Sequence, residues 1–259
     1  MVYKKMLPFA LSFIITCVLM VFLLSIHTTN IGKLLEEEEF QVIDGVTIYN
    51  SLNDELNNII IKEITRLRKE LNSIFEPFNV DEGLNIMIFD DLKVLQKYSK
   101  LDDVGAFYAN EYNLISLVIP QSLNNEADVW FFKRDLRHEY THYYLSNYLT
   151  VNKISDLPKW FDEGLAEYVA ITMDGIEAVD PLKEIINFEL LKSRKDWAEM
   201  RGENAQVYLQ SHKAIVYIVE NNDLNIVKKI IDDSKRLGFS DSFKYHTNIE
   251  VSQLHKIIN

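Results

Sequence analysis

His138-Glu139-Tyr140-Thr141-His142 combines the residue types of a metal site at a spacing with a three-dimensional meaning. On a helix, residues i and i+4 share a face, so both imidazoles reach one ion. Glu139 then lies just off the ligand line, close enough to touch a metal-bound water. A pair of ordinary helix histidines reads the same way, so the motif needs a third ligand. One is available in Pro158-Lys159-Trp160-Phe161-Asp162-Glu163-Gly164-Leu165-Ala166-Glu167-Tyr168. Glu163 follows His142 by enough chain to finish one helix, turn and return antiparallel beside it. Gly164 and Ala166 are small and allow two helices to approach closely around a metal. Two His and one Glu leave a fourth tetrahedral position for water, the arrangement of a catalytic rather than a structural zinc site.

The elements that must hold these residues are legible from periodicity. Asp44-Gly45 sits between β-branched and aromatic residues in 40–49, which predicts a hairpin. Leu52, Leu56, Ile60, Ile64, Leu67, Leu71 and Ile74 recur at three- and four-residue spacing, predicting a long amphipathic helix over 51–75 with Ser51 as N-cap. A strand is expected at 84–89, a short helix at 92–98, and two strands at 105–119 around Asn110-Glu111. Helices are expected at 126–149, which carries the histidines, and at 160–173, which carries Glu163. Further helices are expected at 182–194, 205–220 and 224–237, with a short piece after Val251. Strands early and helices late predict an α+β fold: a small N-terminal sheet followed by a largely helical metal-binding and C-terminal part.

H-E-x-x-H followed by W-x-x-E-G-x-A-x-Y resembles the gluzincin metallopeptidases, and most of all the bacterial peptidase-MA-like domains, with thermolysin and membrane alanyl aminopeptidases as more distant relatives. The resemblance covers 137–168 tightly and the flanking elements loosely. It implies a zincin-like fold, zinc held by His138, His142 and Glu163, and Glu139 as general base. Zinc lowers the pKa of its bound water to about 7, Glu139 takes the proton and passes it to the leaving amine, and the oxyanion needs a neighbouring donor. Tyr208 and His212, one turn apart on the 205–220 helix, are the candidates, since that stretch is similar to the Tyr-bearing helix of the resembling domains. Tyr208 reads equally well as a core aromatic, and His212 as a surface or capping residue. In thermolysin-like relatives an acid at the place of Glu167 orients a ligand histidine; a solvated carboxylate is the plain alternative. Asp135 reads as a salt-bridge partner of Lys133 or Arg137. Gly105-Ala106-Phe107-Tyr108-Ala109-Asn110 occupies the place of the aminopeptidases' G-A-M-E-N motif but lacks its Glu, which favours an endopeptidase. The 105–119 segment is either an edge that aligns an extended peptide or an interior strand.

The remaining sequence bears on context. With 39 Asp+Glu against 27 Lys+Arg the net charge is −12, which argues against nucleic-acid backbones as partners. At 47% hydrophobic the chain has ample surface for a core, and one Cys excludes an internal disulfide framework. Leu7 to Ile26 carries no formal charge and is as long as a bilayer-spanning helix, with Lys4 and Lys5 before it. Its length and the lack of an A-x-A pattern favour an anchor over a cleaved signal peptide; Cys17 reads as lipid-facing. The expected organisation is a cytoplasmic N-terminus (1–6), a transmembrane anchor (7–26), an acidic stalk (27–39) and a metallopeptidase domain (40–259) outside a cell membrane. An intramembrane protease is disfavoured because Arg134, Asp135, Arg137 and Glu139 surround the motif. The leading expectation is an anchored, extracytoplasmic zinc endopeptidase acting on peptides or proteins. The alternative is a zincin-fold binding or sensory ectodomain without turnover.

Overall fold

The Asp44-Gly45 turn joins strands β1 (Phe40–Ile43) and β2 (Val46–Tyr49). Both turn residues have positive φ, 50° and 81°, as a hairpin turn matched to the strand twist requires. The computed structural model describes residues 31–51, 53–77, 83–99, 104–176, 181–203 and 206–258. Within them β3 (Asn85–Phe89), β4 (Ala106–Ala109) and β5 (Leu114–Val118) complete a sheet of order β1-β2-β3-β5-β4. The inner pairs β2–β3 and β3–β5 are parallel, and the outer pairs are antiparallel. β4 is therefore an edge of the sheet as described.

Both faces of the sheet are covered, so its central strands are largely apolar, with Asn85 and the buried Ser116 as exceptions in β3 and β5. Ile86, Ile88, Ile115 and Leu117 point into the main core, while Met87, Phe89 and Leu114 face a smaller one. Helix α1 (Asp54–Ile74) buries Leu56, Ile60, Ile64, Leu67 and Leu71 in the main core and packs against α3 (Glu126–Asn152). Its cap is Asn53, whose side chain accepts from the Glu55 and Leu56 amides. Ser51 instead donates its hydroxyl to Asn57 Oδ1 at 2.7 Å. Leu52 lies outside the described residues. Helix α2 (Leu92–Ser99) contributes Leu95 to the smaller core. Residues 31–37, expected as a stalk, are helical, and Ile31, Leu34 and Leu35 pack against that core. Three apolar side chains on one helical face explain the docking; the acidic residues occupy the other side.

The second half is helical: α4 (Lys159–Thr172), α5 (Arg194–Glu203), α6 (Val207–Glu220), α7 (Asn225–Leu237), α8 (Phe239–Thr247) and α9 (Val251–Leu254). The helix expected over 182–194 does not form. Gln206 Oε1 accepts from the Lys183 amide, and Gln210 bonds both the amide and the carbonyl of Ile186. Side chains of the next helix region thus satisfy the backbone that a helix would have paired internally. Only Phe188–Leu191 winds into a 3₁₀ turn. Residue 205, the expected start of the next helix, is outside the described residues.

The expected single-pass membrane location requires correction. No helix among the described residues is long and apolar enough to cross a membrane. The longest, α3, carries Arg134, Asp135, Arg137 and Glu139, charges that hydrocarbon does not accommodate. The segment Leu7–Ile26, with Cys17, lies outside the described residues.

Candidate metal centre

Helix α3 begins at Asn125, whose side chain caps the Ala127 amide, and ends at Lys153 in the left-handed conformation. His138, Glu139 and His142 are on its middle turns and are largely enclosed. Pro158 (φ −55°, ψ 137°) turns the chain into α4, which returns along α3 and buries Glu163 and Glu167. The glycine after Glu163 has a specific use. A Cβ on Gly164 would stand 2.6 Å from the Ser211 carbonyl oxygen, so α4 meets α6 backbone to backbone. The small residue thus serves the approach of the Tyr208-bearing helix.

The convergence is tight. His138 Nε2 lies 3.1 Å from His142 Nε2 and 3.1 Å from Glu163 Oε2, and His142 Nε2 lies 3.6 Å from the same oxygen. Ligands about 2.0–2.1 Å from a tetrahedral zinc are separated by about 3.3 Å, so the three donor atoms have the right mutual spacing. The outer ring nitrogens are engaged by carboxylates: His138 Nδ1 is 3.3 Å from Glu167 Oε1, and His142 Nδ1 is 3.0 Å from Asp162 Oδ1. With hydrogens on both Nδ1 atoms, each Nε2 presents a lone pair towards the other and towards a carboxylate oxygen. That tautomer suits a bound cation. His138, His142 and Glu163 are accordingly a group able to hold a metal ion.

The surrounding carboxylates favour positive charge at this point, carried by protons on the imidazoles when no ion is bound. Burial alone lowers imidazole pKa values, yet Glu163 and Glu167 hold His138 well above its usual range, and Asp162 and Glu163 push His142 up to about 9. Burial opposes the charged form of Glu163, but His142 and Lys159 outweigh it and keep this carboxylate well below its ordinary pKa. Glu167 falls to about 2, because His138 and Arg134 overcome its burial. Arg134 grips both Glu167 oxygens at 2.8 Å. Glu139 behaves oppositely: burial raises it more than the two histidines lower it.

A cleft of about 330 Å³ opens beside this group, lined in part by Gly105, Ala106, His138, Glu139 and Tyr208. The Tyr208 ring is 6.2 Å from that of His138, and its hydroxyl accepts from Arg201 at 3.4 Å. His212, the other donor candidate, does not line the cleft; it is buried against Tyr168, ring centres 6.4 Å apart. Asp135 pairs with Arg134 at 3.2 Å, not with Lys133 or Arg137. Arg137 points to the rear of α3, where it meets Glu63 and Asp174, each at 2.6 Å. Sequence reasoning missed Asp162 and Lys159. Lys159 Nζ is 2.9 Å from Asp162 Oδ2 and 2.6 Å from Glu163 Oε1. The i, i+3, i+4 spacing was a visible signal.

Comparison with known proteins supports a zinc metallopeptidase, but in a different family from the peptidase-MA-like domains that the motifs resemble. The chain is 27% identical over 235 residues to the uncharacterized protein YhcO of Bacillus subtilis (strain 168), a match spanning 87% of this chain and 71% of that protein. Residues 72–251 match the family Peptidase M9, collagenase, and this stretch contains the histidines, Glu139, Glu163 and Tyr208. The chain therefore belongs to the collagenase family of zinc metallopeptidases.

Proposed function

We propose that this protein is a zinc-dependent endopeptidase of the gluzincin type, with His138, His142 and Glu163 as metal ligands, Glu139 as general base and Tyr208 as oxyanion donor. The observation that carries the reading is the spacing of 3.1, 3.1 and 3.6 Å among three donor atoms whose outer partners turn their lone pairs inward. A zinc ion held there supplies Lewis acidity toward water and a peptide carbonyl. Glu139, beside His138 at the cleft wall, accepts the proton of the attacking water and returns it to the amine that leaves. Its burial-raised pKa suits both halves of that task, since a base poised nearer neutrality is also a usable acid. Tyr208 has its pKa raised by burial and by Glu163, so its hydroxyl stays protonated and donates to the carbonyl oxygen as charge develops. The edge strand β4, with Gly105 and Ala106 in the cleft wall, supports main-chain pairing with an extended peptide. No Glu of the G-A-M-E-N type stands on that strand to hold a free amino terminus, which favours internal cleavage.

The test compares the purified protein with its Glu139→Gln variant for bound zinc and for hydrolysis of gelatin, casein and a mixed peptide library. The expected outcome is equal zinc content and a rate about 10²–10⁴-fold lower in the variant. Equal rates remove Glu139 from the mechanism. Zinc binding by both with cleavage by neither turns the reading to a non-catalytic zincin-fold binding module.

A further inference from the structure

The end of α4 nearest the metal group holds a cation that the mechanism above does not use. Lys159 is the first residue of α4 and is fixed at its root: Pro158 precedes it, and its amide donates to the Lys192 carbonyl at 2.8 Å. From there its ammonium reaches two carboxylates, Glu163 Oε1 at 2.6 Å and Asp162 Oδ2 at 2.9 Å. Neither is an ordinary surface partner. The Glu163 side chain is only 7% exposed, and the second Asp162 oxygen holds His142 Nδ1. An exposed i, i+4 pair contributes a few tenths of a kcal/mol. Here the ammonium stands where water would otherwise solvate the outer oxygens, and the same ammonium touches a ligand and the group that orients a second ligand.

We propose that Lys159 is a positioning residue of the metal centre: by holding the outer oxygens of Glu163 and Asp162 together, it leaves Glu163 one oxygen for the ion and fixes the His142 ring through Asp162. The proposal rests on the metal-ligand reading of His138, His142 and Glu163. Two effects of removing Lys159 oppose each other, and that makes the idea testable. Loss of a positive charge near a cation strengthens cation binding by Coulomb attraction. Loss of an outer partner that orients ligands weakens it, typically 10–100-fold. Positioning requires the second effect to win.

The experiment measures zinc affinity by chelator competition for the unaltered protein and for Lys159→Met, with the visible spectrum of the cobalt-loaded forms recorded alongside. The expected result is a zinc dissociation constant about 10–100-fold higher in the variant, together with a cobalt spectrum altered by the freed carboxylate. Lys159→Gln gives the same measurement with a polar side chain if the Met variant folds poorly. Affinity equal to or tighter than that of the unaltered protein overturns the proposal and leaves Lys159 as a charge balancer. Failure of the unaltered protein to bind zinc at all is a different result, and it overturns the metal-ligand reading itself.

Discussion

Residues 137 and 138 are neighbours on one helix yet serve two ion clusters of opposite character. Behind α3, Arg137 meets Glu63 and Asp174, and Arg66 takes the other Asp174 oxygen at 2.8 Å. Two guanidinium groups thus answer two carboxylates, and Arg137 also donates to the Ala170 carbonyl. In front, Asp135, Glu139, Asp162, Glu163 and Glu167 face Arg134, Lys159 and the two imidazoles of His138 and His142 on the same helix pair. The rear cluster is complete in itself, and it ties α1, α3 and the end of α4 together. The front cluster gathers five carboxylates around two imidazoles, whose positive charge a bound cation would replace. Burial alone does not distinguish structural from functional charge; the completeness of pairing does.

The sharpest way to break this contrast is Arg137→Met. It leaves buried Glu63 with Arg66 at 3.9 Å in place of its 2.6 Å partner, and a loss of about 3–5 kcal/mol in unfolding free energy is expected by denaturant titration. The zinc affinity of the folded fraction stays within a few-fold of normal. A variant that folds normally but loses zinc merges the two clusters into one. Next comes Tyr208→Phe, expected to lower kcat about 10²-fold with zinc content unchanged; unchanged kcat removes the hydroxyl from the reaction.

The mildest expected effect is a pH trend read by thermal unfolding. In chelator-treated protein, His142 has its pKa raised from 6.5 to about 9. The stability from the charged imidazole is therefore fully present below about 6.5 and is lost as pH rises toward 9. Glu167 is lowered from 4.5 to about 2, so its contribution is present above about 4.5 and is lost on acidification toward 2. Metal-free protein should be most stable between those limits. Zinc needs neutral imidazoles, so zinc-loaded protein gains where the metal-free form declines. Parallel curves from pH 6.5 to 9 separate the histidines from metal binding.

Much of the site was legible before any coordinates, because its information is local. His138, Glu139 and His142 share a helix, and the chain between His142 and Glu163 has one economical way to return. The Asp44-Gly45 hairpin was equally plain, since the turn residues and the β-branched flanks agree. What escaped depends on partners distant in sequence. The 182–194 stretch has helical periodicity, yet Gln206 and Gln210 offer its backbone a better set of hydrogen bonds. Helix α5 carried a local signal that was passed over: the Ser193 hydroxyl accepts from the Asp196 amide at 3.1 Å, an ordinary cap. Asp162 was hidden by its neighbour, because a carboxylate beside a candidate ligand looks like solvent-facing filler until the imidazole is seen to reach it. The membrane expectation rested on composition at one end of the chain, and no described helix has the length and apolarity to support it.

The missing methyl group at residue 164 has one more consequence. Main-chain atoms of two helices touch there without an intervening side chain, so the offset between residues 163 and 208 is set like a gauge block rather than by adjustable filler. That wall of the groove has almost no tolerance for redesign. Residues 104–106 of the cleft lining lie outside that contact, so substitutions there leave the spacing of the two helices unaltered.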